Sequence, residues 1–380
     1  MSTAHDTLSH HEQLFLELLT AALHRRSPQA ETFVGLASGT WERIHRLMIA
    51  HAVSAFVGDR VLLLPKEALP DRTLRLTIFS EIELTRRGNK YLSKALGRLS
   101  DLYRTHDLPF VLLKGLGLAL FYPDPSLRTG GDLDTLFYRP GDYERANALL
   151  TAKGYYLHDD SEVRYGHTAF SYERTIVENH ARAVFFDYKR YNDFFDHLVQ
   201  EAAEQGTFVP ISYEGNTFLT LPHELNIVYT FIHMFFHWLH WGVGFRQYSD
   251  WILLMTRLRE EVDAREIERI ARALDILYPM QLFAQAAELY LEVSPEVFPF
   301  PRLQARDPYS DQIIRDVLHS GNFGFSQRPD RARSRLLTDL RKLLFKARRS
   351  HRLHAIAPTH ASRIIWGSII GHLMLRLRKL

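Results

Sequence analysis

The chain contains no cysteine among its 380 residues, which excludes disulfide scaffolds, thiol nucleophiles, thiolate-held zinc and iron–sulfur clusters. It also lacks charge of one dominant sign: 47 Lys and Arg stand against 44 Asp and Glu, so the net charge of +3 points to no particular partner. No basic segment followed by an apolar run opens the chain, and no secretory leader is expected. A hydrophobic share of 46% with 24% charged residues is that of an ordinary globular protein, not of a disordered, collagen-like or rod-like one. The expected location is cytoplasmic. Formal charge is missing over one internal stretch, Leu225 to Phe245, which is long enough to cross a bilayer. His233, His237, His240, Asn226 and Thr230 would be costly in lipid, so this stretch is expected to be a buried helix.

Residues 1–105 read as a helical region, with apolar positions repeating nearer 3.6 than 2 at Leu14, Leu16, Leu18 and Leu19, and further patterns from Trp41 to Val53 and from Leu76 to Tyr103. Residues 106–221 change character. Pro109–Leu113 reads as a buried strand ending at Lys114-Gly115, and Asp132–Phe137 as an alternating strand after Gly130-Gly131. Residues 141–153 read as an amphipathic helix stopped by Gly154. Further strands are expected at Tyr155–His158, Thr168–Tyr172 and Ala183–Lys189, with a hairpin around Glu214-Gly215-Asn216. Residues 222–380 return to helix and end in a basic tail. From Arg328 to Lys379, 14 Lys and Arg face two acidic residues, which leaves the rest of the chain net negative.

The segment that carries chemistry is 109–137. Asp132 and Asp134 are two apart, so on a strand both carboxylates face the same way. Paired carboxylates repel unless a cation lies between them, and hard oxygen ligands favour Mg²⁺ or Mn²⁺. A third carboxylate would complete a two-metal site. Asp187, which interrupts the apolar run Ala183-Val-Phe-Phe, is the candidate. Lys114 and the Gly115 backbone are placed to meet phosphate, and Arg128 is within reach of the same charge. Arg128 serves equally well as the partner of an acidic side chain such as Asp124 or Asp134. His233, His237 and His240 share one helical face but lack further ligands, so they are expected to line a core or pocket. Arg246 and Asp250, four apart, are expected to pair within their helix. The basic tail could dock on the protein, lie on a membrane surface or grip an acidic acceptor.

The order Leu-Leu-Lys114-Gly115, Tyr122-Pro-Asp-Pro, Arg128, Asp132-Leu-Asp134, then a helix ending in Gly154-Tyr155, resembles bacterial nucleotidyltransferase family proteins of the wider DNA polymerase β-like nucleotidyltransferase superfamily. Trp41…His51-Ala-Val53, Phe245-Arg-Gln-Tyr-Ser-Asp250 and Gly321-Asn-Phe-Gly324 extend the resemblance over most of residues 40–380. It implies an α+β polymerase β-like core flanked by helical regions. It also implies metal-dependent transfer of a nucleoside monophosphate from an NTP to an acceptor that could be a glycan, peptide, small molecule or RNA. In that reading Asp132 and Asp134 are the paired metal ligands, Asp187 the third carboxylate, and Lys114-Gly115 stands where the superfamily usually has Gly-Ser. Asp187 is followed by Tyr188-Lys189-Arg190, where this branch often has Leu-His-Trp, which leaves Glu173 and Glu178 as nearby substitutes for it. Two other readings stay open: a degenerate NTP-binding or regulatory partner, and a toxin-like enzyme that modifies tRNA or protein.

Overall fold

The computed structural model describes residues 8–158, 166–327 and 335–364. Four helices come first: α1 (His10–Leu23), α2 (Ser38–Ala50), α3 (Ser54–Val61) and the long α4 (Arg72–Thr105). The mixed region follows in the order β1 (Val111–Leu112), α5 (Leu116–Ala119), β2 (Leu133–Leu136), α6 (Asp142–Ala152), β3 (Tyr156–Leu157), β4 (His167–Tyr172), β5 (Thr175–His180), α7 (Lys189–Gln205), β6 (Val209–Tyr213) and β7 (Asn216–Thr220). Six helices follow, α8 (His223–His240), α9 (Phe245–Leu258), α10 (Ala264–Ala273), α11 (Leu277–Leu291), α12 (Pro308–Ser320) and α13 (Arg335–Leu353), and residues 358–364 are helical again.

The strands form one seven-stranded mixed sheet in the order β3-β4-β5-β2-β1-β7-β6. β1 runs parallel to β7 and β2 parallel to β5, while the other neighbours are antiparallel. The architecture is therefore α+β. The β6–β7 hairpin turns on Glu214 and Gly215, both at positive φ, as a two-residue hairpin requires.

The sheet is covered on both faces, and strand alternation sorts its side chains between two cores. Leu112, Leu133, Phe137, Phe170 and Val177 pack with Leu96, Leu99 and Tyr103 of α4 and with Ala146 and Leu150 of α6. Val111, Leu113 and Leu136 point the other way, into a larger core shared with α8, α9 and the N-terminal helices. α4 is started by the Asp71 side chain, which accepts from the Leu74 N–H at 3.0 Å. Ile78 and Ile82 in its first half enter the large core, and Ala95 to Tyr103 in its second half enter the smaller one.

The stretch Leu225–Phe245 is the buried α8 and the turn after it, and no described helix is long and apolar enough to cross a membrane. One strand expectation is corrected. The strand expected at Ala183–Lys189 is absent: residues 183–188 are a loop, Lys189 opens α7, and the fifth strand is Thr175–His180. The apolar run there is a buried loop because Asn192 does the work of a neighbouring strand. Its amide oxygen accepts from the Phe186 N–H at 2.6 Å, and its amide nitrogen donates to the Phe186 carbonyl at 2.8 Å. α13 is docked by its arginines. Arg349 is buried, pairs with Asp316 at 2.6 Å and donates to the Trp238 carbonyl. Residues 328–334 and 365–380, which hold much of the basic tail, lie outside the described residues.

Candidate active site

The central strands converge on a cavity of about 130 Å³ between the sheet and the α8–α9 pair. Backbone geometry makes its floor. Leu113 N–H donates to the Asp134 carbonyl at 3.0 Å, which carries the chain past the start of β2 into Lys114-Gly115. Gly115 has φ +58 and ψ −125, a conformation open to glycine alone, and a Cβ there would lie 3.2 Å from the Asp132 carbonyl oxygen. The loop before Asp132 is tied to α4, where the Asn89 amide donates to the Ser126 and Arg128 carbonyls, each at 2.8 Å.

β2 and β5 run parallel with Asp134 in register with Glu178. Their side chains share a face, and His180, two residues beyond Glu178, joins them. His180 Nε2 lies 3.0 Å from Asp134 Oδ1 and 3.5 Å from Glu178 Oε2. One ligand atom from each of the three falls within 4.8 Å of the others. The Lys114 ammonium is 2.9 Å from the same Asp134 oxygen. On the opposite face, Thr135 donates to Asn179 Oδ1 at 2.9 Å, and Tyr103 donates to it at 2.7 Å, which fixes the pairing of the two strands.

The electrostatics follow from crowding at the buried end of this cluster. Burial alone would lower the Lys114 pKa, but the Asp134 charge and hydrogen bond, together with the Tyr229 and Glu178 charges, more than offset it, so the ammonium is held. Burial would raise Glu178, yet the His180 hydrogen bond and the Lys114 charge bring its pKa below the ordinary range. His180 is disfavoured as a cation by burial but is held above its usual pKa by hydrogen bonds to Asp134 and Glu178. Asp132 stands at the cavity mouth. The desolvation it suffers there, with Glu178 and Asp134 nearby, pushes its pKa up to about 6.

α8 and α9 form the roof. His233 Nε2 meets the Lys114 ammonium at 3.1 Å and His237 Nε2 at 3.2 Å. Burial, then the Lys114 charge, drives the His233 pKa well below its usual value, so His233 accepts from Lys114 as a neutral imidazole. Of the three histidines on this face, His233 lines the cavity, and His237 stands behind it. His240 lies apart from it, beside the Lys346 and Arg349 charges of α13.

Arg128 is engaged elsewhere. Its Nε and one terminal nitrogen donate to the two oxygens of Asp250 at 2.7 and 2.8 Å, and the Tyr122 hydroxyl donates to Asp250 at 2.8 Å. Arg128 is thus the partner of an acidic residue, but that residue is Asp250 rather than Asp124 or Asp134. The expected Arg246–Asp250 pair inside α9 gives way to it, because the fork of Arg128 matches both carboxylate oxygens. Arg246 instead lines the cavity.

Asp132, Asp134, Lys114 and Gly115 therefore come together, and Asp187 does not join them. Asp187 follows the loop held by Asn192, is exposed, and is not among the cavity-lining residues; its charge is felt by His360. The carboxylate opposite Asp134 is Glu178. Its signal in the sequence was Glu178-Asn-His180 at the end of a β-branched run, the same two-residue spacing as Asp132-Leu-Asp134. Tyr229, Thr230, Gln247 and Phe323 also line the cavity. Gln247 and Phe323 fall in the segments Phe245–Asp250 and Gly321–Gly324 that carried the resemblance, whereas no motif marked Tyr229 or Thr230.

Residues 37–292 match the family model described as an uncharacterised nucleotidyltransferase, which covers two thirds of the chain. The chain belongs to that family. No curated protein and no solved structure matches it.

Proposed function

We propose that this member of the uncharacterised nucleotidyltransferase family is a metal-dependent enzyme that transfers a nucleoside monophosphate from an NTP to an acceptor. The observation that carries the reading is the convergence of Asp134, Glu178 and His180 within 4.8 Å of one another at the end of two paired central strands, with a glycine turn beside them.

The donor set fits a divalent cation. Two carboxylates and one imidazole bring one ligand atom each within 4.8 Å of the others, and a lysine ammonium lies against the Asp134 oxygen. Asp134, Glu178 and His180 would hold the ion, with Asp132 at the mouth as a further carboxylate. Mg²⁺ or Mn²⁺ bound there would supply charge neutralisation and activation of the attacking group. Lys114, released from Asp134, would carry its charge toward phosphate. The Gly115 turn lets the backbone approach the same oxygens without a Cβ in the way. His233 stays neutral and steers the ammonium by accepting from it. The polymerase β-like core, with Asp132 just before β2, Asp134 on it and Glu178 on the neighbouring β5, is the fold this reading implies. Arg128 is assigned to the frame of the cavity because both Asp250 oxygens hold it.

Incubation with α-labelled NTPs, Mn²⁺ or Mg²⁺ and candidate acceptors tests the reading. Release of pyrophosphate with label transfer is expected, and transfer that survives Asp134→Asn combined with Glu178→Gln overturns it.

A further inference from the structure

The cavity holds a guanidinium that no carboxylate of the described residues pairs directly. Arg246 sits in the first turn of α9, where its Nη1 donates to the Gly130 carbonyl at a long 3.4 Å. Its Nε is buried without a hydrogen-bond partner among the described residues. The guanidinium carbon lies 5.3 Å from the centre of the Phe323 ring. Asp250, one turn along the same helix, is occupied by Arg128 and Tyr122. Burial and then the neighbouring Arg128 charge both work against the Arg246 cation. An arginine does not lose its proton near neutral pH, and Asp250 and Asp132 act on it only without direct pairing, so an anion entering the cavity would complete its compensation.

Two further features of the same wall point to a polar ligand. Thr230 Oγ1 and Gln247 Oε1, both on cavity-lining residues, are buried without partners among the described residues. Phe323 takes φ +52, which a bulky side chain adopts only when its surroundings enforce it. The enforcement is visible. Cβ atoms on Gly242 or Gly244 would collide with Ser320 and Asn322, so the chain after α8 is closed tightly against the turn that presents Phe323.

We infer that Arg246, and not Arg128, is the arginine that receives the triphosphate oxygens of the nucleotide, with Phe323 holding its guanidinium plane. This rests on the nucleotidyltransferase reading of the cavity and names the residue that recognises the substrate's anionic part. The guanidinium edge bearing the orphaned Nε offers parallel N–H donors to two phosphate oxygens. Asp132, across the cavity, acts on Arg246 as an opposite charge, so anion binding is expected to strengthen when a divalent cation covers the carboxylates.

The test is calorimetric titration of the full chain with ATP and with inorganic tripolyphosphate, each with Mn²⁺, alongside the label-transfer assay. Arg246→Ala is expected to weaken both ligands by roughly tenfold or more. Arg246→Lys, which keeps the charge but loses the fork, is expected to restore part of that loss. Unchanged affinity in Arg246→Ala overturns the inference, as does a wild-type chain that binds neither ligand. If the alanine variant does not fold, Arg246→Lys decides, because wild-type affinity in that variant is equally fatal. Loss of tripolyphosphate binding in Arg246→Ala, with no label transfer by the wild type, would defeat the enzymatic reading and leave the anion site standing.

Discussion

The Lys114 ammonium lies 2.9 Å from Asp134 Oδ1, the oxygen that His180 also approaches at 3.0 Å. A divalent cation claiming Asp134 must therefore displace a lysine. Lys114→Met removes both the competitor and its repulsion, so Mn²⁺ is expected to bind about tenfold more tightly in that variant. Nucleotide transfer is expected to fall. Electron paramagnetic resonance of free Mn²⁺ measures the first effect and label transfer the second. Weaker Mn²⁺ binding in the variant would show that the lysine supports the ion instead of competing with it.

The carboxylates separate cleanly by position. Asp134→Asn and Glu178→Gln are expected to weaken Mn²⁺ by roughly tenfold to a hundredfold. Asp187→Asn is expected to leave Mn²⁺ affinity and transfer within about twofold, because Asp187 is exposed and outside the cavity. The reverse pattern, with Asp187 essential and Glu178 dispensable, would mean that the β2–β5 pairing does not build the site.

Much of this site was legible in the sequence, and its limits have physical causes. Lys114-Gly115 and Asp132-Leu-Asp134 could be read because each is a local device: a turn that needs positive φ, and a two-residue repeat that puts like side chains on one strand face. Glu178 could be named only as a substitute for Asp187. The run Ala183-Val-Phe-Phe looks more strand-like than Thr175-Ile-Val, and the side chain that makes it a loop, Asn192, lies six residues beyond Phe186. The partner of Arg128 lies 122 residues away, and no spacing rule reaches that far. Arg246 and Asp250 satisfied a local rule that the tertiary pairing overrode.

The Arg128–Asp250 pair is deeply buried, with side chains 6% and 4% exposed. Removing one partner strands the other charge. Asp250→Ala is expected to cost about 3–5 kcal/mol of stability. Tyr122→Phe, which deletes only a donor to the same carboxylate, is expected to cost about 1 kcal/mol. Urea unfolding monitored by tryptophan fluorescence checks both. A loss below 1 kcal/mol for Asp250→Ala would mean that the pair is not closed to solvent.

His51 gives the fold an acid sensitivity away from the cavity. It is fully buried, stacks on Phe15 at 5.5 Å, and its Nδ1 accepts from the Phe245 N–H at 3.3 Å. Burial lowers its pKa from 6.5 to about 3. Between those values the unfolded chain binds the proton and the folded chain does not, so stability from this group is complete above pH 6.5 and drains as pH falls. The expected slope is about 1.4 kcal/mol per pH unit below pH 6. His51→Asn keeps an acceptor near the Nδ1 position but removes the titration. Its unfolding free energy is expected to change less than that of the wild type between pH 7 and 5. Equal slopes in the two proteins would place the acid sensitivity elsewhere.

Gly115 ties backbone conformation to the chemistry. At φ +58 and ψ −125, with the Asp132 carbonyl oxygen 3.2 Å from where a Cβ would stand, Gly115→Ala must either strain the turn or push β2 away from β1. The first course costs about 1–3 kcal/mol. The second parts Lys114 from Asp134, because both residues are set by the Leu113-to-Asp134 backbone bond just before the turn. Thermal unfolding and Mn²⁺ titration of Gly115→Ala separate the two. A lowered midpoint with wild-type Mn²⁺ affinity means that the strain stays in the turn, whereas tighter Mn²⁺ binding, approaching that of Lys114→Met, means that the lysine has moved. A variant as stable as the wild type, with unchanged Mn²⁺ affinity, would show that the turn tolerates a side chain and that the glycine is not what shapes the cavity floor.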